Sequence, residues 1–300
     1  MNNNNKTIVP PEVLRQLTAR SDFKGLVQLS MHLGLILFTG MLVSKAFAGL
    51  WLFPALVLHG IVLIFVFAPL HESIHFTAFK SKCLNNVVAA VFGFVLFLPY
   101  QYFRTYHYVH HRHTQDPEKD PELIDKKPFN IKSYLFYLSG IPTWRWHLTM
   151  LWQHVQGTVK EPYIEARAHA RIITEARVHL ALYTLLLLWS LFAGNAWLLW
   201  YWIIPVLFGQ PLLRLYLLAE HSDCDLTDNM LENSRTTYAS PIVNFLAWNM
   251  PYHAEHHYLA SVPFHALPAL HAYTGQQVKF RGDGYWRVLL NISKKIASEK

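Results

Sequence analysis

The chain has 300 residues, of which 52% are hydrophobic and 15% charged. Soluble domains carry about 25% charged residues, so this balance excludes an ordinary water-facing surface and favours an integral membrane protein. The formal charge of +7 suits cationic loops beside anionic headgroups, with docking of an acidic electron donor as a second use. No basic helix or aromatic-interleaved basic run marks a nucleic-acid binder, and nucleic acid is not expected as a partner.

From the N-terminus, residues 1–6 form an asparagine-rich polar stretch expected to be a solvated tail, followed by Pro10-Pro11 and a charged stretch to Lys24. A signal peptide would begin its apolar core sooner, so Ala46-Phe47-Ala48 is taken as a chance imitation of a cleavage site. Uncharged windows follow at 25–44, 46–71, 83–103 and 178–213. A spanning helix needs about 20 apolar residues. The last window is too long for one helix, and Gly194-Asn195 near its middle is a turn signal. It divides into short spans at 178–193 and 196–213, whose ends are expected to extend into the interface. Residues 114–130 form a polar, proline-punctuated loop, and 131–177 mix aromatics with charge as helices on the membrane surface are expected to. Cys83 and Cys224 exclude a disulfide framework and a four-cysteine iron–sulfur centre within the chain.

Three histidine clusters interrupt this pattern: His71-Glu72-Ser73-Ile74-His75, His107-Tyr108-Val109-His110-His111 and His253-Ala254-Glu255-His256-His257. Spacings of i, i+3 and i+4 put the imidazoles of a cluster on one helical face, and imidazole is a common transition-metal ligand. Eight such ligands exceed the needs of one ion and point to a two-metal site. Nine further histidines, His32, His59, His113, His147, His154, His169, His179, His265 and His271, are expected to be structural.

If all three clusters serve one centre, an even number of crossings must separate each pair. The hairpin 178–213 satisfies this between the second and third clusters. A crossing by 83–103 would split the first from the second, so 83–103 is expected to be re-entrant or interfacial. Four spans remain, approximately 25–44, 46–70, 178–193 and 196–213, in two hairpins. The outer loops then hold one basic residue, Lys45, and both termini and all clusters fall on the cytoplasmic side. The expected architecture is a single all-α membrane-embedded domain over 1–300, with a cytoplasmic helical cap carrying the histidines.

His71-Glu72-x-x-His75 also fits an intramembrane zinc metalloprotease, with Glu72 as general base. That reading leaves the other two clusters without a task. A b-type haem protein would place single histidines on facing helices, which the crowding here does not fit.

The three clusters resemble the histidine boxes of the membrane fatty acid desaturase and hydroxylase superfamily, and the likeness runs from about residue 60 to 270. The resemblance implies a non-haem diiron centre, O₂ as co-substrate and a fatty acyl lipid substrate into which a double bond is introduced. The same scaffold also serves hydroxylation or ketolation of a lipid, alkane or carotenoid. It implies His221 as a further ligand, with His71, His75, His107, His111 and His256 on one iron and His110, His221, His253 and His257 on the other. It gives Asn249, four residues before His253, a water-orienting role on the same helical face. The acidic run Asp116 to Glu122 is expected to be a solvated loop, with carboxylates supporting an imidazole as the lesser reading. No cytochrome b5-like segment appears, so a separate donor of ferredoxin, rubredoxin or cytochrome b5 type is expected, in a bacterial inner or ER-type membrane.

Overall fold

The computed structural model describes residues 8–47, 49–124, 128 and 130–298. The expected solvated tail at 1–6, with Lys6, and Ala48 of the apparent cleavage site lie outside them. Helix α1 (Pro11–Leu17) leads into α2 (Asp22–Ala46), whose first turn is capped by Ser21 accepting from Lys24 N. The chain continues through α3 (Leu52–Ile64), α4 (Phe67–Ile74), α5 (Lys82–Val95), α6 (Tyr100–His113), α7 (Pro121–Ile124), α8 (Ile131–Leu138), α9 (Ile141–Val155) and α10 (Ala166–Phe192). A π-helical turn, Leu199–Ile203, runs into α11 (Ile204–His221). Beyond it come β1 (Arg235–Thr237), α12 (Pro241–Leu246), α13 (His253–Tyr258), α14 (Leu267–Thr274), β2 (Phe280–Gly282) and α15 (Tyr285–Ser298). The all-α expectation needs one amendment, because β1 and β2 pair in parallel, with Thr236 opposite Arg281.

Among the described residues, four helical stretches are long and apolar enough to cross a membrane: Asp22–Ala46, Leu52–Ile74, Ala166–Phe192 and Leu199–His221. Their limits differ from the uncharged windows for a physical reason. Charge ends a hydropathy window but not a helix, since Arg, Lys and Glu are good helix formers. Thus Arg167, Arg171, Glu175 and Arg177 all lie on α10, and 166–177 is not a separate surface helix. The second stretch starts later than expected, at Leu52, and runs to Ile74, so it carries His71 itself.

The outer stretches keep their apolar side chains outward. Leu37 and Met41 on α2 and Leu185, Leu191 and Phe192 on α10 are all more than half exposed. Such faces are stable against lipid tails and costly against water. The buried core lies inward, from Ile64 through Leu70, Ile74 and Tyr102 to Trp248, Leu267 and Leu270. Helices α3 and α11 cross at Gly60 and Gly209. A Cβ on Gly60 would meet Pro205 O at 2.1 Å, and one on Gly209 would meet Gly60 O at 2.2 Å, so the backbones touch directly.

The window 83–103 becomes two helices, α5 and α6, bent by 101° at their junction. A break there strands backbone groups that need partners away from water. Side chains supply them. Trp202 Nε1 donates to Val95 O (2.8 Å) and Tyr183 OH to Phe94 O (2.8 Å). Glu175 accepts from Tyr100 N (3.0 Å) and Gln101 N (2.8 Å), the first orphan donors of α6. Phe97 stacks on Trp202 with an interplanar angle of 15°. This elbow fixes the direction of α6 and so places the second histidine cluster.

Candidate metal centre

The three clusters meet although they lie far apart in sequence. His71 is on α4 and His75 caps its end; His107, His110 and His111 are on α6; His253, His256 and His257 are on α13. His221 ends α11. The nitrogens form two groups. In the first, His71, His75, His107, His111 and His256 each offer one ligand atom within 4.8 Å of the others. His110, His221 and His257 form the second in the same way. His253 joins it through Nε2, 2.9 Å from His221 Nε2. The groups adjoin, with the rings of His111 and His257 stacked at 4.1 Å.

The i, i+4 pairs stay together: His107 with His111, and His253 with His257. The odd histidine of each triplet, His110 or His256, turns to the other group.

The inner nitrogens fit a metal. His111 Nε2 lies 2.9 Å from His107 Nε2 and 3.1 Å from His256 Nε2. Imidazole nitrogens that close repel unless a proton or cation lies between them. Metal–nitrogen bonds of about 2.0–2.1 Å put ligands at right angles roughly 2.8–3.0 Å apart. His75 Nε2 and His257 Nε2 are buried with no hydrogen-bond partner among the described residues. Burial also favours the neutral ring with its lone pair free. It pushes His75 down to about 3, helped by Arg104 and His110. His253, His256 and His257 are driven well below the usual imidazole range by burial, then by neighbouring histidines.

The outer nitrogens of the second group face oxygen. Asp120 Oδ1 lies 2.9 Å from His110 Nδ1, Thr114 Oγ1 3.1 Å from His257 Nδ1 and Asn233 O 3.2 Å from His221 Nδ1. Glu220 Oε1 is 3.4 Å from His253 Nδ1. The acceptors on His110, His257 and His221 select the tautomer whose Nε2 can face a metal, whereas His253 Nδ1 makes no hydrogen bond among the described residues. Asp120 corrects the expected solvated loop at 116–122. Its side chain is buried and also accepts from Gln115 N (2.8 Å). Composition hid this, because one carboxylate of the run folds inward while Glu118 stays exposed. Glu220 was equally unmarked in the sequence beyond its place beside His221.

Glu72 is buried. Its Oε2 accepts from Thr77 Oγ1 (2.8 Å) and from Phe264 N (3.1 Å), tying α4 to the segment after α13. Its Oε1 is 3.9 Å from Nδ1 of His71. A zinc-protease base would instead be aimed at a water on the metal.

Asn249 also needs correction. Its φ is +59° and α13 begins only at His253, so the two do not share a helical face. Its Nδ2 donates to Phe264 O at 3.2 Å.

Three of the other histidines serve as braces. His32 bonds Val62 O at 3.0 Å, His59 bonds Thr39 Oγ1 at 2.8 Å and Tyr201 O at 3.1 Å, and His271 bonds Glu255 at 2.6 Å.

A mostly helical chain with four stretches able to cross a membrane, and with converging buried imidazoles, has the makings of a membrane metalloenzyme. The sequence model of the fatty acid desaturase family matches residues 46–289, and the chain belongs to that family. It is an oxidoreductase family, and it implies a lipid substrate. Dihydrorhizobitoxine desaturase of Bradyrhizobium elkanii is 27% identical, over 79% of this chain and 70% of that protein.

Proposed function

We propose that the chain is an O₂-dependent diiron desaturase that introduces a double bond into a fatty acyl lipid. The observation that supports this best is the division of the histidines into two adjoining groups of converging nitrogens. His71, His75, His107, His111 and His256 would hold one iron, and His110, His221, His253 and His257 the other. When bound, the irons supply O₂ activation and attack on an unactivated C–H bond. The protein's part is to aim the imidazoles, keep them neutral and exclude water. Electrons come from a separate ferredoxin, rubredoxin or cytochrome b5-type donor. The relative's name gives it dihydrorhizobitoxine as substrate; desaturation is the part of that name carried over here.

Lipid mass spectrometry of cells with and without the gene tests the reaction. The expected product is lighter than its precursor by two hydrogens. A product heavier by one oxygen would replace desaturation with hydroxylation. Peptide cleavage without lipid oxidation would replace both with the protease.

The proposed topology has two hairpins, both termini and the metal centre cytoplasmic, and the α5–α6 elbow entering without crossing. The single domain extends over 1–300. Cysteine reporters check it in a background lacking Cys83 and Cys224. A reporter at Lys45 or Asn195 is expected to label only from outside, and one at Lys82, Lys119 or Lys279 only from inside. Lys82 and Lys119 on opposite sides would make the elbow a span and break the topology.

A further inference from the structure

We propose that the groove between α5, the elbow and α10 binds one anionic phospholipid of the bilayer, with its phosphate on Arg171 and an acyl chain along the two helices. The proposal rests on the membrane reading of the four long stretches and is independent of the reaction at the metal centre. The groove has a volume of about 710 Å³ and is lined by α5, the first turn of α6 and α10. Small-molecule sites typically measure about 300–1,000 Å³. Val91, Val178 and Leu182 on its walls are 44–52% exposed, so it opens sideways and is not sealed in the core.

Its chemistry changes along its length. Arg171, Thr174, Val178 and Leu182 follow one another at i, i+3, i+7 and i+11, which lines them up on one face of α10. At 1.5 Å per residue, the stripe from Arg171 to Leu182 runs about 16 Å. That is close to half of a hydrocarbon core about 30 Å thick. A guanidinium at one end and branched aliphatics at the other therefore match the headgroup and chain of a lipid in a single leaflet. Val91 and Val95 on α5 supply the opposite wall.

The charge at the polar end is uncompensated. Glu175 is the one carboxylate lining the groove, and its oxygens already accept from Tyr100 N at 3.0 Å and Gln101 N at 2.8 Å. Thr174 Oγ1 donates to Ala170 O (2.8 Å) and Gln101 Nε2 to Tyr100 OH (2.7 Å). The guanidinium of Arg171 has no hydrogen bond or ion pair among the described residues. A second cation is near. Arg104 packs over Tyr100, 5.0 Å from the ring centroid, and its charge repels that of Arg171. Two guanidiniums beside one committed carboxylate call for an anion, and arginine pairs well with phosphate. The aliphatic walls, open to the bilayer, require that the phosphate come with an acyl chain. That chain covers Phe94 and Val95, whose carbonyls accept from Tyr183 OH and Trp202 Nε1. Keeping water from those two bonds stabilises the elbow, and the elbow aims α6.

The test uses the full chain purified in a neutral detergent and a phosphatidylglycerol with a diazirine on its acyl chain. Crosslinks are expected on the peptides bearing Val91 and Val178. Unlabelled phosphatidylglycerol should displace them at a concentration at least about fivefold lower than zwitterionic phosphatidylcholine requires. Arg171→Gln should remove that preference. Val178→Trp, which fills the groove, should abolish the crosslinks, whereas Leu187→Trp, on the opposite exposed face of α10, leaves them in place. Phosphatidylglycerol should also raise the thermal midpoint of the unmodified chain and of Leu187→Trp, but not of Val178→Trp, each compared with its own midpoint before lipid is added. Crosslinks that persist in both Arg171→Gln and Val178→Trp with unchanged competition mean annular lipid only and overturn the proposal. Glycerol phosphate that competes as well as the lipid also overturns it, in favour of a free phosphate. A chain that stays monodisperse without detergent overturns the membrane reading itself, before any lipid is added.

Discussion

His111→Ala is expected to reduce lipid oxidation to background and to cost the chain at least one of two irons. His111 is the junction of the first group, its Nε2 within 3.1 Å of both His107 Nε2 and His256 Nε2. It links the ligand from α6 to the one from α13, and its ring stacks on His257 of the second group at 4.1 Å. Alanine leaves a hole lined by buried imidazoles that lack a shared cation. Metal binding contributes to folding where ligands are brought together from distant segments, so membrane insertion and protease resistance must be measured beside iron content and activity. His113→Ala is the control. Two residues along α6 it points to another face, and it is expected to retain both irons and near-normal oxidation. Full oxidation in His111→Ala would sink the diiron assignment.

Much of this site was legible because helical spacing translates directly into direction. The i, i+4 pairs predicted shared faces, and His107 with His111 and His253 with His257 indeed act as pairs in space. The parity of crossings also isolated 83–103 as an element that must not separate the first two clusters, and the structure bends it by 101°. What made the bend affordable was invisible: Trp202, Tyr183 and Glu175 lie about 75 to 107 residues away and satisfy single backbone groups. No local pattern reports a partner at that range. The helical face assumed to join Asn249 to His253 is absent for a related reason. Counting four residues back from His253 assumes an unbroken helix, and the left-handed turn at Trp248 and Asn249 breaks it. The acidic loop failed because solvation was inferred from the average of its residues, whereas Asp120 alone is drawn inward by three donors, His110 Nδ1, Gln115 N and Glu122 N.

Asp120→Ala is expected to lower metal affinity at the second group by about 10- to 100-fold, the usual cost of removing a group that orients a metal-binding histidine. The side chain is buried, and its loss strands three donors at once. The ring of His110 would be free to rotate or to take the tautomer that places a proton on Nε2, and Gln115, whose side chain reaches His221 O at 2.7 Å, would loosen with it. Asp120→Asn keeps one acceptor oxygen without the charge and is expected to fall between the unmodified chain and alanine. The readout that separates orientation from general instability is selectivity. If Asp120 acts through His110, chelator removes one iron early and the other at its normal rate. If it merely holds the loop to the fold, both irons leave together and the protein becomes protease-sensitive at the same chelator concentration. Equal retention of both irons in Asp120→Ala would mean that His110 is aimed by its helix alone, through the elbow that fixes α6.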